Sequence, residues 1–129
     1  MARIISFAWT SPALLASAKT VTRRMWDDDY GARFKAGIEV LAYDRSPRHH
    51  GRPIARLRLT DDARLEADSD APDGDYEAEG FAWLAEHPEC LPKSGRLGYL
   101  EQVSRESFDA WRRMGGRSWV VRFDMLELL

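Results

Sequence analysis

Apolar and polar positions alternate near the start of the chain. Ile5, Phe7 and Trp9 share one face, and Ile4, Ser6 and Ala8 the other. That period predicts a strand over residues 3–9, apolar enough on both sides to lie in a core. Ser11 offers a helix cap and Pro12 fits the first helical position, so a short helix should follow and end near Lys19. Thr20-Val21-Thr22-Arg23-Arg24 is rich in β-branched residues and predicts extended chain. Asp27 to Gly31 reads as a polar loop. Residues 38–43 and 54–60 predict two strands of one hairpin with a long tip. In the second strand Ala55, Leu57 and Leu59 face inward, while Arg56, Arg58 and Thr60 face out.

Residues 61–75 are acidic, contain Pro72 and Gly74, and read as a loop within the domain. Tyr76 to Glu86 reads as helix despite Gly80. Residues 85–103 hold two prolines and two glycines and read as a surface insertion. Ser104 caps a helix carrying Phe108 and Trp111, and Gly115-Gly116 ends it. Trp119, Val121, Phe123 and Met125 then share one face of a closing strand over 117–126. Strands at both ends with short helices between them predict a small α+β barrel rather than a doubly wound sheet. Ile5, Phe7, Leu57, Leu59, Val121 and Phe123 are its expected core.

Composition narrows this further. A chain of 129 residues fits a single domain over 1–129, and 44% hydrophobic residues exclude a disordered tail. The single cysteine, Cys90, excludes an internal disulfide framework and fits a reducing compartment. No apolar run approaches the roughly 20 residues of a membrane span, so no membrane partner is expected. Met1-Ala2-Arg3 and the apolar residues up to Ala18 resemble a signal peptide. Thr10-Ser11-Pro12 interrupts that run, however, and Lys19, Arg23 and Arg24 follow it, so the expectation is a cytoplasmic protein.

The formal charge of −2 conceals an uneven distribution. Residues 1–60 carry a net +6 and residues 61–103 a net −9. The basic half suits an anionic partner, although the two halves also neutralise each other on folding. Sixteen of the 19 cations are arginine, the residue best suited to phosphate and base recognition. The acidic stretch at 61–79 admits a third reading, a surface that recruits a protein; a charge run is more often a solvated face. Phosphate-loop, dinucleotide and nucleophile-elbow motifs are absent. His49 and His50 are adjacent, with no second ligand pair at metal spacing, so neither a metal nor a cofactor is expected.

The informative stretch is Lys19-Thr20-Val21-Thr22-Arg23-Arg24-Met25-Trp26. It gathers three cations, two hydroxyls and an indole. Cations anchor phosphates, hydroxyls bond bases or sugars, and Trp26 offers a stacking surface. An ordinary strand with a solvated basic edge and a core tryptophan has the same composition. Together with Ile5-Ser6-Phe7-Ala8-Trp9, Gly37 before a strand, and Glu79-Gly80-Phe81, this stretch resembles an ASCH domain. The match covers residues 4–84 well and 104–125 more loosely.

The resemblance implies a PUA-like β-barrel with a cleft beside it, and binding of RNA or action on nucleosides. A small branch of the family hydrolyses N4-acylated cytidines with a lysine, a threonine and a glutamate. By that resemblance Lys19, Thr22 and Glu79 are the candidate catalytic group, and Arg24 matches the motif arginine. In that branch an acidic residue follows the arginine, whereas Met25 does here. A desolvated lysine can act as base to a threonine nucleophile, with a carboxyl group serving the leaving amine. Lys19 and Glu79 can equally form an ion pair at the mouth of a binding cleft. Strict alternation places Lys19 and Thr22 on opposite faces unless the chain turns between helix and strand. Thr20, Arg23, Arg24, Trp26, Arg56 and Arg58 are the expected ligand-binding residues. RNA or a modified nucleotide or nucleoside is the expected partner.

Overall fold

The computed structural model describes residues 3–129; Met1 and Ala2, which open the signal-like segment, lie outside the described residues. Six strands form a mixed sheet that curls into a half-barrel, with short helices around it. The strands are β1 (Arg3–Ser6), β2 (Val21–Arg24), β3 (Glu39–Tyr43), β4 (Pro53–Leu59), β5 (Arg64–Ala67) and β6 (Arg117–Leu128). The helices are α1 (Ser11–Leu15), α2 (Asp28–Gly31), α3 (Asp75–Ala78), α4 (Phe81–Glu86), α5 (Arg96–Gln102) and α6 (Arg105–Arg112). The order across the sheet is β1-β3-β4-β6-β2, and β5 also pairs with β6. Only β1 and β3 run parallel.

The long strand β6 makes the curl. Its C-terminal half, from Phe123 to Leu128, pairs with β4. Its N-terminal half runs between β2 and β5, so that Trp119 lies opposite both Arg24 and Leu65. One strand thereby joins two leaves of sheet and brings β2, with its hydroxyls and arginines, beside the barrel core.

All six expected core residues are 3% exposed or less. They pack with Leu14, Phe34, Val40 and Trp119, and Phe7 meets Phe123 edge-on at 5.8 Å. A second cluster of Ala13, Leu84, Leu91 and Val103 joins α1 to α4 and the chain around α5. The stretch read as a surface insertion therefore contributes Leu91 and Val103 to a core. Proline and glycine content marks the turns of that stretch but is blind to the apolar residues between them.

Five local expectations are corrected. The first strand ends at Ser6, because Ala8–Thr10 forms a 3-10 turn. Trp9 thus leaves the sheet and packs on Phe81 and Tyr99 instead. Ser11 is the first helical residue rather than the cap, and its hydroxyl donates to the Ala8 carbonyl at 2.7 Å. Asp27 to Gly31 is not a loop: Asp27 caps α2 by accepting from the Tyr30 amide at 2.8 Å. The acidic 61–75 stretch contains β5, whose register on β6 outweighs its poor strand composition. The helix expected over 76–86 is two short helices divided at Gly80.

Candidate functional site

Gly80 organises the site. It sits at φ +86°, a left-handed conformation that glycine adopts without steric cost. A side chain there would place its Cβ 2.7 Å from the Ala13 Cβ and 3.3 Å from the Lys19 Cβ. The α3–α4 break is therefore pressed directly against the end of α1. The Thr20 amide donates to the Ala78 carbonyl at 2.8 Å and fixes the same contact. Glu79, Gly80 and Phe81 thus have three physical tasks: the acid, the close approach and an aromatic wall.

Lys19, Thr22 and Glu79 are buried, at 4%, 4% and 6% exposure. Lys19 Nζ donates to Glu79 Oε1 at 3.0 Å and to the Glu79 main-chain carbonyl at 2.9 Å. An ammonium has three protons, so one remains for a ligand. Burial pulls the Lys19 pKa below its ordinary value; Glu79 opposes this, and Arg24 and Arg23 add to it. Glu79 Oε2 accepts from Arg23 at 2.8 Å. Arg23 also pairs with Asp75, which a third residue, Arg122, grips with both terminal guanidinium nitrogens at 3.1 and 2.8 Å. Burial raises the Asp75 pKa, but the hydrogen bonds from Arg122 and Arg23 prevail and hold it low.

Thr22 accepts from Arg24 Nε at 3.1 Å, and its own O–H finds no acceptor among the described residues. Arg24 lies 5.4 Å over the Phe7 ring and meets no carboxylate among the described residues. Burial lowers its pKa, with Glu79 opposing, yet a guanidinium stays charged.

These groups converge on one cleft of about 240 Å3. Lys19, Thr22, Arg23, Arg24 and Glu79 form its polar side. Phe7, Trp9 and Phe81 form its aromatic side, and Ala8, at φ +47°, lies between two of them. The convergence of Lys19 with Thr22 follows from the chain turning before β2 starts. Ser17 is left-handed at φ +60°, and Lys19 precedes the strand, so strand alternation does not apply to it. No hydrogen bond joins Lys19 to Thr22 among the described residues; the lysine is committed to Glu79.

The other expected binding residues are elsewhere. Trp26 stacks on Phe34 at 4.3 Å and packs against the core. Thr20 is exposed and does not line the cleft. Arg56 and Arg58 do not line it either: Arg56 pairs with Glu39 and Glu127, and Arg58 with Glu39. Much of the acidic stretch is used internally. Asp68 accepts from Ser118 at 2.7 Å, and Asp75 and Glu79 carry the arginine and lysine pairs. Among the described residues no cluster of three or more His, Cys, Asp or Glu is placed to hold a metal ion. No helix among them is long and apolar enough to cross a membrane.

Sequence reasoning overlooked Asp75, Arg122 and the cleft roles of Phe7 and Trp9. The spacing of Asp75 and Glu79, four apart in a helical stretch, was the available signal, since such residues share a face.

No family model and no curated protein matches the chain. Among solved structures it is similar to the crystal structure of protein EF3133 from Enterococcus faecalis V583, a DUF984 protein. The likeness covers 100% of this chain and 82% of that one at a TM-score of 0.60, with 16% identity. It establishes a shared barrel-like α+β fold.

Proposed function

We propose that the chain is an ASCH-like binding domain whose cleft takes RNA or a modified nucleotide or nucleoside. The observation that carries this reading is Arg24, a cation in the cleft wall without a carboxylate partner among the described residues. The other charges of the site are mutually engaged: Lys19 and Arg23 on Glu79, Arg23 and Arg122 on Asp75. Arg24 and the third Lys19 proton are thus the groups for an anion such as phosphate. Trp9 and Phe81 supply the apolar surface that a base requires.

The test is calorimetric titration with short single-stranded RNA at several salt concentrations. Affinity should fall with a log–log slope of roughly −0.7 per phosphate bound. Arg24→Ala should weaken binding by about tenfold or more, the worth of a charge-assisted hydrogen bond. Salt-independent binding, or an Arg24→Ala variant that binds like wild type, would overturn the reading.

A second reading is favoured by one specific observation: Lys19, Thr22 and Glu79 line the same cleft, with the Thr22 proton uncommitted. In it the protein is an amidohydrolase for N4-acylated cytidine. Thr22 Oγ1 attacks the amide carbonyl carbon as its proton passes to neutral Lys19, and the C–N bond then breaks as the amine takes up a proton. Water attacks the resulting ester carbonyl; the acid leaves and the Thr22 hydroxyl is restored. Lys19 must first lose a proton and turn from Glu79, which is why this reading stands second. Mass spectrometry of N4-acetylcytidine incubations decides between them. Cytidine production that disappears in Lys19→Ala would reverse the order.

A further inference from the structure

Behind the Arg23–Glu79 pair lies a second chamber of about 270 Å3. It shares Arg23, Glu79 and Phe81 with the first cleft, so the two meet along one wall. Its remaining lining comes from the end of α5 and from α6, outside the segment that carries the strong motif match. Phe108 and Trp111 add two more aromatic rings, and Gln102 and Ser107 bring an amide and a hydroxyl.

The electrostatics of the two chambers differ. The first holds Arg24 and the spare Lys19 proton. In the second, the sole lining cation among the described residues is Arg23, which already bonds Glu79 and Asp75 and lies 5.5 Å over the Trp111 ring. A phosphate gains no free cation there. The Ser107 hydroxyl donates to the Glu101 carbonyl at 2.7 Å, leaving its oxygen as an acceptor. The Gln102 side chain is solvent-exposed at the chamber's rim and has no hydrogen-bond partner among the described residues, so its amide offers both a donor and an acceptor there. Rings on several sides with an uncommitted amide suit a planar, uncharged group with polar edges.

We infer that this second chamber is the subsite for a second nucleobase, the neighbour, along single-stranded RNA, of the base in the first cleft. The inference rests on the nucleotide-binding reading above and makes the ligand at least two nucleotides long. It also gives the chain around α5 and α6 a function: to extend a one-base site into a two-base site.

The experiment compares UMP, CMP and AMP with UpU, CpC and ApA, and with a dinucleotide whose second base is removed, by calorimetry on the full chain. At least one dinucleotide should bind about tenfold or more tighter than its monophosphate, as expected when a second base stacks. The gain should vanish when the second base is absent. Gln102→Ala should reduce the ratio of dinucleotide to monophosphate affinity. Gln102→Trp, which adds bulk at the chamber's rim, should bring that ratio close to one, with thermal unfolding confirming that both variants are folded. Monophosphates that bind as tightly as every dinucleotide would overturn this inference and leave the first cleft as a one-base site. Absence of binding by any probe would overturn this inference together with the RNA-binding reading on which it rests.

Discussion

Replacing Glu79 by glutamine keeps its volume and removes its charge. Lys19 and Glu79 side chains are 2% and 8% exposed and 3.0 Å apart. Removing one partner of a buried pair leaves an uncompensated charge and costs about 3–5 kcal/mol. Two features put this case near 3 kcal/mol on that scale. Lys19 keeps its bond to the main-chain carbonyl of residue 79, and Arg23 keeps Asp75. For a domain of this length the loss lowers Tm by about 10–15 °C. The pH dependence has a definite sign. Burial already depresses Lys19, and losing Glu79 depresses it further. As pH rises through that lowered folded value, Lys19 becomes neutral in the folded state while the unfolded lysine stays protonated up to about 10.4. The unfolded state then binds more protons, so stability rises with pH. The deficit of Glu79→Gln relative to wild type should therefore narrow between neutral pH and about 10. Urea denaturation across that range measures it. Lys19→Met combined with Glu79→Gln should cost less than the two single changes summed, by about 1–3 kcal/mol. A deficit below about 1 kcal/mol that is constant with pH would refute the buried pair.

Three further outcomes are expected. Phe123→Ala should lose about 3–5 kcal/mol in denaturant titration, since its ring is 3% exposed and packs on Phe7. Gly31→Ala should be among the most disruptive single-methyl changes, because its Cβ would fall 2.2 Å from the Trp119 ring; a folded variant with wild-type Tm would show that α2 does not rest on Trp119 there. Asp75→Asn should remove part of the acid sensitivity of folding. The depressed Asp75 pKa contributes stability that is present at neutral pH and lost as pH falls through its folded value, so the variant should be weaker near pH 7, with the difference closing in strong acid.

The sheet was legible where alternation was clean. Ala55, Leu57 and Leu59 against Arg56 and Arg58 define β4, because one buried face leaves one register; in β6, Trp119, Val121 and Phe123 mark the core face although Ser118 and Val120 on the other face are buried too. It was illegible where pairing overrides composition. Arg64–Ala67 has little strand character, but it closes on Ser118 and Trp119 of β6. Trp9 fitted a strand period and was carried away from the sheet by the turn at Ala8, which no alternation reports. At the site, Lys19, Thr22 and Glu79 came from a motif, and their distance from one another is a tertiary fact. The arginines were the hardest to place. Arg24 and Arg56 are both strand arginines; only the fold gives Arg56 two glutamates and Arg24 none among the described residues.

The most direct test of the central claim is a solution NMR titration of the labelled protein with a short single-stranded RNA, read residue by residue. The largest amide shifts should fall at Lys19, Thr22, Arg24, Phe81 and Trp9, and residues 56–58 should stay unmoved. Shifts centred on Arg56 and Arg58, with the cleft unchanged, would contradict it.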